Sequence, residues 1–523
     1  MNDTTPCDTE HPATTLDVLI VGGGPAGTTM AIELIRRGLT VRVVDKAPGG
    51  FPGSRAKGIQ PRTQEIFEDM GLLAGIHSGG STYPRMGIHA GPITVPWASI
   101  KTNTPTDAVP YPSTWLIPQF RTDQVLHDRL AALGGRIDYD HDVLTLTQND
   151  TRVTVFLATP HGEETVSARY VVGADGGSSI VRRSLGIEFE GTTDETDRML
   201  IVDAEVDGDL TRNRWHIWPL GGAFVGACPL PDSDLMQWMV TLDPDEEAPS
   251  TAADITARIR TRTKKNITLT RIAWRSVFRP NIRIAQSYRQ DRVFLVGDAA
   301  HVHPPAGAQG LNTGVQDSYN LAWKLAQVLD GADDALLDTY QDERQPIAAT
   351  VLGISAQKYA GIASASPASL KRGKDEYQLA VSYHGGPLAP ADSDRTSTLS
   401  VGDRAPDAVL DVAGTPARLF DFFRGTHFTA ITYGLVATGT SPALDWPGRG
   451  AALHTVAIDA PGQIADHQAS DTRGNFRRTY GLDGPTTLFI RPDGYIAGIV
   501  RVDRPTTLPA SVRTVTGMLR TTA

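Results

Sequence analysis

Apolar residues fall in short runs whose period changes along the chain. Leu16 to Val21 is a mostly apolar run that stops at a glycine cluster, Ala26 to Arg37 carries apolar residues at helical spacing, and Val41 to Val44 is a second short run. Strand, helix and strand in that order predict a βαβ unit. The same reading predicts a helix over Thr122 to Leu133 and strands over Arg152 to Leu157, Tyr170 to Val172 and Val293 to Val296. From Asn312 to Leu329, the apolar positions Val315, Leu321, Ala322, Leu325 and Val328 form one stripe of a long amphipathic helix.

Other segments alternate or are rich in aromatic residues. Met199 to Val206, Arg214 to Trp218, Ala223 to Cys228 and Gln237 to Leu242 are spaced as strands of an antiparallel sheet inserted between pieces of the first unit. His384 to Pro406, rich in Gly, Pro, Ser, Thr and Asp, predicts a linker. Beyond it, Phe428 to Tyr433, Leu453 to Ile458, Thr487 to Ile490 and Tyr495 to Val500 predict strands, the last two joined by an Arg491-Pro492-Asp493-Gly494 turn.

At 523 residues the chain exceeds what one core usually supports, so two or three domains are expected. No apolar run approaches the roughly 20 residues of a membrane span. Met1 to Thr15 is polar and lacks the pattern of a signal peptide, which predicts a flexible tail on a cytoplasmic protein. Cys7 and Cys228 are the only cysteines, so neither a disulfide framework nor a cysteine metal site is expected. The net charge of −10 argues against nucleic acid as a partner and for a small ligand.

Gly22-x-Gly24-x-x-Gly27 sits where the first strand meets its helix. There, glycines permit a tight turn, the approach of a pyrophosphate to Gly24, Pro25 and Ala26, and close helix packing. The helix N-terminus adds free amides and a favourable dipole. Asp45, followed by Lys46, closes the second strand, where a carboxylate accepts hydrogen bonds from ribose hydroxyls and repels a 2′-phosphate. FAD and NAD remain as residents of this site. Two further segments, Gly173-Ala174-Asp175-Gly176 and Gly297-Asp298-Ala299-Ala300 running into Pro304-Pro305-Ala306-Gly307, decide for FAD, because an ordinary nicotinamide dehydrogenase needs no such distant elements.

Together with Ser54-Arg55-Ala56-Lys57-Gly58-Ile59-Gln60-Pro61-Arg62-Thr63, these motifs resemble the signatures of class A FAD-dependent aromatic hydroxylases, in the style of the phenol and polyketide hydroxylase branch. The resemblance covers roughly Asp17 to Gln345. It implies an α/β fold with a Rossmann-like FAD-binding domain (16–80, 120–190, 285–385), an inserted antiparallel-sheet substrate domain (81–119, 191–284) and a thioredoxin-like C-terminal domain (400–523) that lacks cysteine. Asp298 is implied to hold the ribityl chain, and the backbone of Gly310, Leu311 and Asn312 to meet the pyrimidine side of the flavin. Arg55, Arg121 and Asp175 are implied to contact nucleotide; the bland reading of Arg121 is a surface ion pair, and that of Asp175 a turn residue. Ala308 stands where many relatives carry glycine.

The implied activity is an NADPH- or NADH-consuming monooxygenation with O2, through a C4a-hydroperoxyflavin, of an aromatic or polyketide-derived small molecule in secondary metabolism. The nicotinamide nucleotide visits rather than resides, since no second Gly-x-Gly-x-x-Gly/Ala segment exists. His216, Trp218, Phe224, Pro304 and Pro305 are candidate pocket walls; no residue is assigned as acid or base, and no metal is expected. His301 and His303 are read as structural. Trp215-His216-Ile217-Trp218-Pro219 has the wrong spacing for a flavin-dependent halogenase. Baeyer–Villiger oxygenation or epoxidation on the same scaffold, and a non-catalytic flavoprotein that sequesters an aromatic ligand, are the competing readings. A monomer or homodimer is expected.

Overall fold

The computed structural model describes residues 16–91, 93–97, 102–221, 223–304, 307–363, 375–435, 446–501 and 512–513. The tail expected over residues 1–15 lies outside them. Five strands run parallel through an eight-stranded sheet, in the spatial order Val293–Leu295, Gly162–Gly173, Leu16–Val21, Val41–Val44 and Ile137–Asp138. Val18, Leu19, Ile20, Val171, Val172, Phe294 and Leu295 are fully buried in it, as strands covered on both faces require. Each such side chain contributes roughly 1.5–3 kcal/mol on burial. Helices Pro25–Ile35 and Gly310–Leu329 lie against each other on this sheet, with Met30, Leu34, Val315, Leu321 and Leu325 between them and the strands.

Tyr170 to Val172, expected as a short strand, is the end of a longer one. Gly162–Gly173 begins as the partner of Val153–Thr159 in an antiparallel hairpin, and from Ala168 onward it pairs in parallel with Leu16–Val21. Its first half alternates polar and apolar residues, Thr165 and Ser167 against Val166 and Ala168, because one face is open to water.

A second sheet holds seven strands in the order Ile267–Phe278, Arg198–Gly208, Leu235–Leu242, Phe224–Pro229, Arg214–Pro219, Arg85–Ala90 and Ile93–Trp97. All neighbours are antiparallel except Arg214–Pro219 with Arg85–Ala90, which run parallel. Helix Ala252–Thr263 covers one face, burying Ile255 and Ile259 against Leu200, Val202, Trp238 and Val240. Its start is capped by the Thr251 hydroxyl, which accepts from the Asp254 amide.

The third sheet orders His467–Ala469, Leu453–Ile458, Phe428–Tyr433, Thr486–Ile490 and Ile496–Val500; the first three are parallel and the last two antiparallel. The stretch from His384 to Pro406, expected as a linker, is instead built into this unit. Ala389, Val401 and Ala405 are buried in the same core as Ile431 and Leu488. Its polar residues fix irregular backbone, as where Asp403 accepts from Ser382 Oγ and the Ser400 amide. Among the described residues no helix is long and apolar enough to cross a membrane.

Candidate cofactor and substrate site

The strand–turn–helix at Gly22–Gly27 is built by contacts that only glycine permits. Gly22 has φ +110°, and a Cβ there would strike the Ala174 carbonyl; a Cβ on Gly27 would strike the Gly22 carbonyl. Gly24 differs, since a Cβ there would enter open space. That space lies at the N-terminus of Pro25–Ile35, where Pro25 occupies the first turn, no side chain caps the helix and no acid competes for its amides. Asp45 reaches back to this turn, accepting from the Gly23 amide at 2.7 Å and the Ala47 amide at 2.8 Å. A carboxylate has capacity for about four hydrogen bonds, so acceptor sites remain for ribose hydroxyls. Lys46 is exposed beside it. His127, which the motifs did not indicate, contacts the Gly23 carbonyl at 3.1 Å.

At the other end, Asp298 lies in the 3-10 turn Gly297–Ala299, its side chain exposed while Gly297 and Ala299 are buried. Asp298 makes no hydrogen bond or salt bridge among the described residues, although it acts electrostatically on the nearby His303, and its Oδ1 lies 3.9 Å from where a Cβ of Gly310 would stand. Gly310 opens the long helix, which also lacks a side-chain cap and a first-turn acid, so its leading amides face the same space. The side chain of Asn312 serves the scaffold. Its Oδ1 accepts from the Gln60 amide at 2.7 Å and its Nδ2 donates to the Gly58 and Ala308 carbonyls. Leu311 packs against the main core. Ala308 takes φ +54°, a left-handed conformation that costs a non-glycine residue roughly 1–2 kcal/mol.

Asp317, which the motifs also left unmarked, fixes the Asp298 turn from below. It accepts from the Gly297 amide at 3.1 Å, from His301 Nε2 at 2.7 Å and from Arg344 Nε at 2.8 Å, all fully buried. Burial would raise its pKa, but His301 and Arg344 prevail and hold it below the ordinary range. His301 is thus a structural partner. His303 donates from Nδ1 to the Pro304 carbonyl at 3.0 Å and leaves a buried Nε2 without a partner; burial lowers its pKa.

Asp175 is a helix-capping turn residue whose Oδ2 accepts from the Ile180 and Val181 amides, while its buried Oδ1 has no partner; burial raises its pKa. Arg121 forms an ion pair with Asp232 at 3.1 Å and is about two-fifths exposed, the geometry of its bland reading. Arg55 is exposed, with no partner among the described residues.

Strand register decides which face of the sheet His216 and Trp218 occupy. Both point to the face covered by Ala252–Thr263, where Trp218 is buried beside Trp238 and His216 contacts His89 at 2.9 Å and the Thr211 carbonyl at 2.8 Å. Successive residues of a strand face opposite ways, so the half-buried Trp215, Ile217, Phe224 and Met239 occupy the other face. The loop at Ser54 to Gly58 lies across that face. Asp203 accepts from the Ser54 amide and hydroxyl, both at 2.6 Å, and Gln237 Nε2 donates to the Ser54 carbonyl and hydroxyl, both at 2.7 Å. Pro304 is buried, and Pro305 lies outside the described residues. No group of three or more His, Cys, Asp and Glu among the described residues could hold a metal.

Open space at Gly24, two uncapped helix N-termini on one sheet and Asp298, with no hydrogen bond among the described residues, fit an elongated dinucleotide such as FAD. A family model described as an FAD binding domain matches residues 15–355. A flavin-dependent monooxygenase of Mycobacteroides abscessus is 39% identical over 92% of this chain and 96% of its own length. A 6-methylpretetramide 4-monooxygenase of Streptomyces rimosus is 31% identical over 95% and 93%. Among solved structures, aklavinone-11 hydroxylase in complex with FAD and aklavinone superposes with a TM-score of 0.75 at 27% identity, over 97% of this chain and 98% of that one.

Proposed function

The chain belongs to the FAD-binding-domain family of flavin-dependent monooxygenases, and on that premise we propose that it hydroxylates a fused-ring, polyketide-type aromatic substrate at the expense of NADPH or NADH. The observation that carries the reading is the pairing of the two free helix N-termini with Asp298 along one face of the parallel sheet. FAD bound there would supply hydride acceptance from the nicotinamide and activation of O2, the chemistry by which one oxygen atom enters the substrate and the other leaves as water.

This chain's residues bind, orient and shield. The amides opening Pro25–Ile35 hold the pyrophosphate and Asp45 the adenosine ribose, with Lys46 at its edge. Arg55 approaches the nucleotide phosphates and the visiting nicotinamide. Asp298 accepts from the ribityl hydroxyls. The amides of Gly310, Leu311 and Asn312 offset negative charge on the reduced ring. The seven-stranded sheet is the substrate domain, its Trp215 and Phe224 face turned to the ring. The five-stranded sheet is a thioredoxin-like unit, which without cysteine serves packing or assembly.

The test is flavin content of the purified protein, followed by product mass spectrometry with labelled O2 and a panel of phenols, anhydrotetracycline and aklavinone. One labelled oxygen in a hydroxyl group, with substrate-stimulated NADPH oxidation, is the expected result. A colourless protein, or label in a lactone ring, overturns it.

A further inference from the structure

Lys57 carries an ammonium group that the fold does not neutralise directly. Its Nζ donates to Gln237 Oε1 and sits 4.7 Å from the centre of the Trp215 ring. An ammonium has three donors, and the other two find no acceptor among the described residues. The nearest carboxylate, Asp203, has both oxygens engaged by Ser54. The other titratable groups beside Lys57 are the buried Cys228 thiol and the Tyr83 hydroxyl, which donates to the Lys57 carbonyl. Burial pulls the Lys57 pKa down, the cost of holding a cation in a half-apolar place.

The place itself suggests what completes the site. Lys57 precedes Gly58, whose carbonyl is held by Asn312 at the head of the long helix. Its side chain extends over the sheet face on which Trp215, Ile217, Phe224 and Met239 are only half-buried, whereas Val225, Ala227, Trp238 and Val240 on the opposite face are fully closed. Trp215 Nε1 is buried and unpartnered. A flat apolar wall with two spare cationic donors at its edge matches an aromatic ring that bears an ionised oxygen.

We propose that Lys57 is a specificity-determining residue that binds the substrate as a phenolate or enolate, with the ring laid along Trp215. The assignment rests on the monooxygenase reading and names the ionisation state of the substrate that this site selects. One charge-assisted hydrogen bond translates to roughly 10- to 100-fold in affinity.

The probes are 4-nitrophenol and its methyl ether, 4-nitroanisole, titrated into the flavin-loaded enzyme across the ionisation range of the phenol and followed by tryptophan fluorescence. The wild type is expected to bind the nitrophenolate at least roughly tenfold tighter than the ether. Lys57→Met is expected to abolish that preference and Lys57→Arg to keep most of it, with flavin content and unfolding midpoint as controls for folding. Equal affinity for phenolate and ether in the wild type, no binding of either, or a preference retained by Lys57→Met overturns the assignment. Absorbance of the same sample separates the two failures: a colourless protein fails the monooxygenase reading, and a yellow one without phenolate preference fails Lys57 alone.

Discussion

Arg491 donates two hydrogen bonds to Glu343 of helix Asp338–Ala363, at 2.6 and 3.0 Å, in a seam between that helix, Gly310–Leu329 and the third sheet where both side chains are almost wholly buried. Lys324 adds a third donor to Glu343 at 2.8 Å, and Asp493 balances Arg491 from the same turn. Burial would raise the Glu343 pKa, but Arg491 and Lys324 outweigh it and hold it at about 2. The third unit is therefore coupled to the helix whose first residues form the candidate flavin site.

Removing one partner of this network leaves uncompensated buried charge, which costs about 3–5 kcal/mol. Arg491→Leu is expected to lower the unfolding midpoint sharply. Since Glu343 is lowered in the folded state, its contribution is complete above its ordinary pKa of 4.5 and fades as pH falls toward 2. Unfolding measured between pH 5 and 2 should show this acid limb, and Glu343→Gln should flatten it. An unchanged limb in that variant would remove Glu343 from the account.

Asp298→Ala is expected to cut FAD affinity by roughly 10- to 100-fold, the loss of charge-assisted bonds, because the side chain has no hydrogen bond among the described residues to lose. Asp45→Ala should weaken FAD and also loosen the glycine turn, since the carboxylate holds the Gly23 and Ala47 amides. Flavin titration combined with unfolding separates them: full flavin occupancy in Asp298→Ala, or an unaltered midpoint in Asp45→Ala, contradicts the respective role.

Much of this was legible in the chain. The Gly22–Gly27 turn follows from backbone sterics that hold wherever a strand meets a helix so closely, and the stripe from Val315 to Val328 follows from helical period. Alternation in Arg214–Pro219 reveals a strand but cannot say which face another layer covers, so the burial of Trp218 against Trp238 is not legible in it. Arg491 and Asp493 read as a turn because Glu343, the partner of Arg491, is 148 positions away, and Trp323, which donates to Asp493, is 170 positions away. The strands Arg85–Ala90 and Ile93–Trp97 escaped notice because His89, Gly91 and Pro96 break the pattern that their cross-strand partners restore.

His89 and His216 predict a second acid sensitivity. His216 donates to the Thr211 carbonyl and accepts at Nδ1 from His89 Nε2, while His89 Nδ1 accepts from Thr94. Every ring nitrogen is used only if both rings are neutral. Burial, and then the proximity of His216, lowers His89 to about 4. This stabilisation is complete above the ordinary value of 6.5 and is lost as pH falls through 4. His89→Asn, which can donate and accept without titrating, should show a shallower fall in unfolding midpoint between pH 7 and 4. A slope equal to that of the wild type would refute the coupling.

On the proposed reading, the two faces of the seven-stranded sheet separate stability from recognition. Trp218 is closed in against Trp238 and the helix Ala252–Thr263, so Trp218→Ala should cost about 3–5 kcal/mol and leave KM for an accepted aromatic substrate nearly unchanged in the folded fraction. Phe224 lies half-buried on the Trp215 face with no part in that core. Phe224→Ala should therefore spare the unfolding midpoint and raise KM several-fold, because the ring it offers to an aromatic substrate is worth about 0.5–1.5 kcal/mol. Steady-state kinetics and thermal unfolding of both variants decide the matter: a KM change confined to Trp218→Ala would reverse the assignment of the faces.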